Sequence, residues 1–339
     1  MQTNILIVGG AGYIGAHTCK TLAKHGFTPV TFDNLSSGHL DFVRWGPLVR
    51  GDIADVDAVE EACRQWSVKA VIHFAAWASV AESIIDPDKY YGNNVTGTLA
   101  LLEGMRRAGV LDIVFSSTCA VYGQPEMMPI TEATPTAPVN PYGASKLMVE
   151  RILSDFARAY GIRYTALRYF NAAGADPDGE VGELRDPEPH LIPRAMMALL
   201  GHIDDFQICG SDYPTADGSA VRDYIHVMDL AEAHRLALLR LLDGGQNAVM
   251  NLGAGGGYSV RQVISRIESI TGRSLPAVSG PRRPGDPPTL IADTTFARQQ
   301  IGFRPVHSDL DRILSTAWAW HQKAHPQRHK ISAGVSIST

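Results

Sequence analysis

The sequence predicts an α/β fold: a doubly wound parallel sheet with a smaller C-terminal α/β lobe that binds substrate. Three observations lead there. Short apolar runs alternate with helical stretches through the first 170 residues. The runs are apolar throughout rather than alternating, as expected of strands covered on both faces. The texture then changes at 171–190, a Gly-, Pro- and acid-rich segment, before shorter runs and further helices.

Residues 4–8 form an apolar strand ending in glycines, and 12–25 reads as a helix closed by Gly26. Strands follow at 28–32, 69–74, 111–116 and 163–168, with a further strand end at 48–51. Helical spacing covers 55–66, 87–108 with a stop at Gly109, and 142–160 with a stop at Gly161. In the second half, helices are expected at 227–242, 259–271, 294–301 and 309–323. Short strands are expected near 206–209, 248–252 and 275–278. Segment 171–190 reads as a long functional loop, and 279–288 as another Gly/Pro loop. This divides the chain into an N-terminal parallel-sheet domain, 1–170, to which segments at about 220–255 return. Residues 171–325 are mainly a substrate lobe, and 326–339 a mobile tail.

Composition excludes several classes. Apolar residues are 45% and charged residues 19%, enough to bury a sizeable core. The formal net charge of −5 argues against nucleic acid or anionic lipid as the main partner. Apolar runs fall well short of the ~18 residues that suggest a membrane span. The start, MQTNILIVGG, has no basic stretch before its apolar run and does not read as a signal peptide. Cys19, Cys63, Cys119 and Cys209 show no CxxC spacing and read as buried thiols, which points to the cytoplasm. No set of residues suggests a metal site.

Residues 9–15, GGAGYIG, follow a strand and open a helix. Gly9, Gly12 and Gly15 let the backbone approach a pyrophosphate, and the helix start offers free N–H groups. This is a Rossmann-type turn. Asp33 closes the second strand, 18 residues after Gly15, where a carboxylate accepts from adenosine ribose hydroxyls. No Arg or Lys lies in 34–38 to hold a 2′-phosphate, so NAD is favoured over NADP. Asp52, after the run 48–51, is placed to accept from an adenine amino group.

Tyr142 and Lys146 stand four apart at the start of the long helix, on one face. A nearby ammonium favours the phenolate and so lowers a tyrosine that otherwise titrates near 10. A general base near neutrality requires that shift. Thr118, at the end of the fourth strand, offers a hydroxyl to share the moving proton. Arg222 and Arg283 suit a pyrophosphate, and Asp286 suits ribose hydroxyls.

Together these residues resemble the extended short-chain dehydrogenase/reductase family. The segments HFAA (73–76), NNV (93–95), SST (116–118), NPYG (140–143), LRYFN (167–171), GSDYP (210–214) and VRDYIHVMD (221–229) narrow the resemblance to its UDP-glucose 4-epimerases, over about residues 4–323. The resemblance implies reversible inversion at C4 of UDP-glucose and UDP-galactose. Tyr142 would take the 4-hydroxyl proton while hydride passes to tightly held NAD. The 4-keto sugar would turn over and take the hydride back on its other face. Lys146 would hold the nicotinamide ribose and tune Tyr142, and Thr118 would relay the proton.

By the same match, Gly9, Gly12, Tyr13, Ile14, Gly15, Asp33, Asn34, Ser36, Asp52, Ile53, Phe74, Ala75, Ala76, Asn94, Ser116, Tyr142, Lys146 and Tyr169 would line the cofactor. Thr118, Tyr142, Phe170, Asn171, His190, Leu191, Gln207, Ile208, Cys209, Arg222, Tyr224, Arg283, Asp286 and Leu290 would hold the UDP-sugar. A homodimer packed through helices 87–108 and 142–160 is also implied. Four positions depart from the best-known members. Ala78 replaces a lysine, Cys209 an aromatic beside uracil, and His190 an asparagine. Leu290 sits where a tyrosine narrows the pocket and a small residue admits N-acetylated sugars. Competing readings are a nucleotide-sugar 4,6-dehydratase or decarboxylase, an NAD-dependent dehydrogenase, and a non-catalytic nucleotide sensor. The first needs carboxylates just after Thr118, where Cys119 and Ala120 stand; the last typically lacks Tyr142 or Lys146.

Overall fold

The computed structural model describes residues 3–283 and 285–326. Its centre is the expected parallel sheet, seven-stranded among the described residues. The strands are β1 Thr3–Val8, β2 Phe27–Asp33, β3 Leu48–Arg50, β4 Ala70–His73, β5 Asp112–Ser116, β6 Arg163–Tyr169 and, later in the chain, β11 Ala248–Leu252. Their spatial order is β11-β6-β5-β4-β1-β2-β3. The direction of winding reverses between β1 and β4, where Val8 pairs with His73. Ligands of open α/β sheets sit in the crevice beyond the strand ends at such a point.

Helices cover both faces. One core packs Leu6, Val30, Phe32, Val71, Ile113 and Phe115 against α2 Val56–Gln65, α5 Thr98–Arg107 and α6 Pro141–Tyr160. The other packs Ile5, Ile7, Ile72, Val114 and Leu167 against α1 Tyr13–Lys24, α8 Val227–Leu242 and α10 Thr295–Ile301. Burial of these strand residues on both sides explains why the runs are apolar throughout.

The smaller lobe has its own core, centred on Ile192, Met196, Phe206, Val263, Ile267, Ile313 and Leu314. These come from α7 Leu191–Leu199, α9 Val260–Thr271, α11 Leu310–Ala324 and the segment before β8 Gln207–Cys209. Short pairings complete it: β7 Asn171–Ala173 with β10 Tyr224–His226, and β8 with β13 Val278–Gly280. The third joins β9 Val221–Arg222 to β12 Tyr258–Ser259 and β14 Thr289–Leu290.

Several expectations shift. The helix read over 87–108 is broken into α4 Pro87–Tyr90, a π-helical stretch Tyr91–Gly97, and α5. The stretch YGNNVTG contains weak helix formers, and wide turns of this kind cluster at functional sites. Two helices were not expected. One is α3 Val80–Ile85, capped by Ser79 onto the Glu82 N–H. The other is α7, whose Pro193 lies in the first turn, where no intrahelical N–H is needed. The strand read at 275–278 moves to β13, because Leu275 is buried in the lobe core instead. The loop read at 171–190 opens with β7. The tail expected at 326–339 lies, beyond Pro326, outside the described residues. Among the described residues no helix is long and apolar enough to cross a membrane.

Candidate active site

The glycine turn joins β1 to α1 at the crevice. Gly9 has φ +80°, and a Cβ there would lie 2.6 Å from the Ala75 nitrogen. A Cβ on Gly15 would overlap the Gly9 carbonyl oxygen. Only glycine allows the turn to close on itself and against the segment after β4. Gly12 is the N-cap of α1, without a side-chain cap, so the first N–H groups of the helix are left for a ligand.

Asp33 ends β2 beneath this turn. Ala11 N donates to Oδ2 at 3.0 Å and Leu35 N to Oδ1 at 2.9 Å. Each oxygen keeps further acceptor capacity for ribose hydroxyls. Burial raises the Asp33 pKa, and the two N–H donors oppose that. Asn34 donates to Asp52 Oδ2 at 2.8 Å and accepts from Ser36 N at 2.9 Å. Ile53 is buried against α5. Asn94, in the π-helical stretch, binds the Trp77 backbone twice at 3.0 Å and Ser145 Oγ at 3.1 Å. It thereby fixes the wall formed by Phe74, Ala75 and Ala76. Tyr13 donates to Gly174 O at 2.6 Å. Ile14 packs against the second core. The cradle fits a dinucleotide with a free 2′-hydroxyl.

Tyr142, Lys146, Thr118 and Ser116 come together where β5 and β6 end over the start of α6. Asn140 caps α6 by accepting from Gly143 N at 2.8 Å, and Pro141 begins the helix. Tyr142 is buried, and the Thr118 hydroxyl lies near enough to its phenol to favour the ionised form. Lys146 Nζ donates to Ser116 O at 2.8 Å, and Ser116 Oγ shares a 2.8 Å bond with the Tyr169 hydroxyl. The electrostatics differ from the sequence expectation. Burial pushes Tyr142 well above 10, and the nearby Thr118 hydroxyl only partly offsets it. Burial also pushes Lys146 down to about 7. The chain alone does not lower the phenol, because taking both groups out of water disfavours the charged form of each.

Residues assigned to the sugar nucleotide gather on the facing lobe. Asn171 donates through Nδ2 to Asp223 O at 2.9 Å. Arg222 Nη2 pairs with Asp286 Oδ1 at 2.5 Å. Leu290 lies opposite Arg222 in the β9–β14 pairing and packs with Phe170. Cys209 lies opposite Gly280, and Ile208 opposite Ser279, in the β8–β13 pairing. Gln207 is exposed, Tyr224 is buried, and Arg283 is exposed with its carbonyl accepting from Asp286 N. His190 caps the start of α7, followed by Leu191. Its Nδ1 lies 2.7 Å from Glu183 Oε1. The ring is about half exposed; what burial it has opposes its charge, but the buried Glu183 and Glu188 raise its pKa to about 9.

All four cysteines are free, but only Cys19 and Cys63 are buried. Cys119 and Cys209 are half-buried, because they stand at strand ends where the cleft opens.

Sequence reasoning missed several groups around this site. Asp223, fully buried, accepts from Ala254, Gly255 and Ala292 N–H groups and holds three loops together. Glu150 and Arg168 form a buried pair behind Tyr142. Lys20 Nζ lies 2.6, 2.7 and 2.6 Å from Asp176, Asp178 and Glu180. The available signal was a charge inside an apolar pattern: Lys20 on α1, Glu150 on α6, Arg168 on β6.

The profile of the NAD dependent epimerase/dehydratase family matches residues 5–253. The chain belongs to that family. It is 48% identical over 322 residues to the UDP-glucose 4-epimerase of Rhizobium meliloti, covering 95% of this chain and 98% of that one. The crystal structure of UDP-glucose 4-epimerase from Brucella ovis in complex with NAD superposes with a TM-score of 0.92 at 53% identity. It covers 93% of this chain and 97% of its own. The enzyme from Bifidobacterium longum, solved with NAD+ and UDP, gives 0.89 at 36% identity, over 96% and 99% of the two chains.

Proposed function

We propose that the chain is a UDP-glucose 4-epimerase that interconverts UDP-glucose and UDP-galactose. The observation that carries this reading is the gathering of Tyr142, Thr118 and Lys146 around the end of β5, with Arg222 paired to Asp286 on the smaller lobe. Bound NAD would supply the hydride acceptor and donor for C4, and its positive ring would favour the phenolate that the chain alone disfavours.

The chain's own residues do the rest. Asp33 and the N–H groups at the start of α1 hold the dinucleotide. Tyr142 takes the proton of the sugar 4-hydroxyl and later returns it, with Thr118 sharing that proton. Lys146, anchored to Ser116, orients the nicotinamide ribose. Arg222 and Arg283 neutralise the pyrophosphate, and Asp286 accepts from ribose hydroxyls. Because the pyrophosphate is the fixed point, the 4-keto sugar can turn about it and present either face to the same Tyr142. Cys119 and Ala120, which follow Thr118, cannot act as acids at C5 or C6, which disfavours a dehydratase.

The chain works as a cytoplasmic homodimer packed through α4–α5 and α6. Exposed Leu99 and Met148 on α5 and α6 support that surface. Galactose catabolism and surface-polysaccharide synthesis both use this reaction. The test is incubation with UDP-galactose, UDP-N-acetylgalactosamine and a UDP-pentose separately, measuring each 4-epimer. UDP-galactose should yield UDP-glucose; no epimer from any of the three overturns the reading. Product from the N-acetylated sugar would show that Leu290 leaves the pocket wide enough.

A further inference from the structure

Tyr213 lies in the loop between β8 and β9 and is buried, with 4% of its surface exposed. Its ring is wedged between two segments. A Cβ on Gly210 would overlap its Cε2 and lie 3.0 Å from Arg282 Cγ, so only glycine, at φ +86°, leaves room. The Arg282 guanidinium stacks 4.4 Å from the ring centroid. Arg282 is itself fixed, donating Nε to Asp212 Oδ1 at 2.7 Å and Nη2 to the Asp212 carbonyl. Gly210 N donates to Gly280 O at 3.0 Å. These contacts set the phenol between the strand end that carries Cys209 and the segment that carries Arg283 and Asp286.

The ring is fixed, yet its hydroxyl is buried and has no hydrogen-bond partner among the described residues. A buried hydroxyl without a partner is costly, and such groups are rare unless something else satisfies them. The nearby charges do not do so. Asp286 is paired with Arg222, and Asp212 with Arg282. The fields of Asp286, Arg222 and Arg282 all reach the phenol. Burial raises its pKa, so at neutral pH it stays an O–H donor. A neutral donor beside two arginines suits an anionic, oxygen-rich ligand.

We infer that Tyr213 is a nucleotide-binding residue whose hydroxyl donates a hydrogen bond to the nucleoside diphosphate of the bound substrate. This rests on the epimerase reading, which places UDP between Cys209, Arg222 and Asp286. Arg282 then serves Tyr213 rather than the ligand: it holds the ring so that the hydroxyl points one way.

The test is Tyr213→Phe, which removes one oxygen and keeps the wedge. Binding of UDP is measured by calorimetry, and melting of the ligand-free protein by scanning fluorimetry. The expected result is UDP binding weakened about 10- to 150-fold, the size of one hydrogen bond to a charged acceptor. Ligand-free Tm should be unchanged or raised, since an unpartnered buried hydroxyl is gone. UDP affinity within twofold of the unsubstituted protein overturns the inference. So does a fall of several degrees in ligand-free Tm, which would mean that the hydroxyl serves the protein itself. Failure of the unsubstituted protein to bind UDP would instead overturn the epimerase reading beneath it.

Discussion

Arg168 grips Glu150 with one edge of its guanidinium, Nε to Oε1 at 2.9 Å and Nη2 to Oε2 at 2.5 Å. Both side chains are nearly sealed from solvent. Ser117 Oγ donates to the same Glu150 Oε1 at 2.5 Å, and Arg168 Nη1 donates to the Tyr122 hydroxyl at 2.9 Å. The pair therefore bolts the helix that carries Tyr142 and Lys146 to the ends of β5 and β6.

Removing one partner leaves a buried charge uncompensated, which typically costs about 3–5 kcal/mol. Glu150→Gln is expected to lower the urea midpoint accordingly and to reduce turnover by misplacing α6. The double variant Glu150→Leu/Arg168→Met should recover much of the stability. An unchanged midpoint in Glu150→Gln would contradict the account of this pair.

Tyr142→Phe keeps the ring packed at 6.5 Å from that of Tyr90 and removes only the proton acceptor. Epimer formation should fall by about 10²- to 10⁴-fold. NAD should still co-purify at the level of the unsubstituted protein. Wild-type turnover in this variant would mean that another group is the base.

Acid should destabilise the fold in a defined window. Burial lowers His17, His234 and His321 to about 4, and His73 and His226 to about 3, from 6.5. Between these values and 6.5 the unfolded chain binds more protons than the folded one, so stability falls as pH falls. Each histidine contributes on the order of 1 kcal/mol per pH unit there. Asp223, pushed up to about 6 by burial, acts the other way, as do Asp33, Asp112, Glu132 and Glu188, which burial also raises, but the five histidines carry the larger shifts. His190, raised to about 9, gives stability that is full below 6.5 and lost as pH climbs through 9. Denaturant midpoints should therefore peak near neutrality and drop sharply by pH 5. A midpoint at pH 5 equal to that at pH 7.5 would rule this out.

Sedimentation should report a species of about twice the 36.7 kDa chain. Met148→Glu, on the outer face of α6, should shift it toward the monomer. A single ~37 kDa species in the unsubstituted protein sinks the dimer.

Much of the frame was legible because its signals are local. Gly9, Gly12 and Gly15 bracket a turn, Asp33 ends a strand, and Tyr142 and Lys146 share a helix face. The rest depends on long-range pairing. Nothing near Asn94 in sequence indicates that it will bridge Trp77 and Ser145. The π-helical stretch hides inside an otherwise regular helical pattern. Asp223 lies within a quoted motif, but its task of gathering Ala254, Gly255 and Ala292 exists only after folding. The raised pKa of Tyr142 was misjudged for a related reason. Spacing indicates that a lysine is near, whereas burial, which decides the sign, is a property of the whole site.

The triple contact of Lys20 has a consequence for how the chain could be divided. The ammonium sits on the helix that follows the glycine turn, while Asp176, Asp178 and Glu180 belong to the segment leading toward His190. A fragment ending at residue 170 would keep the cation and discard every carboxylate around it. It would also lose β11, the strand that flanks β6. The sheet that carries the glycine turn and the segment after β7 are thus joined through a buried charge as well as through β11, so neither is a free-standing module that could be swapped or shuffled without the other.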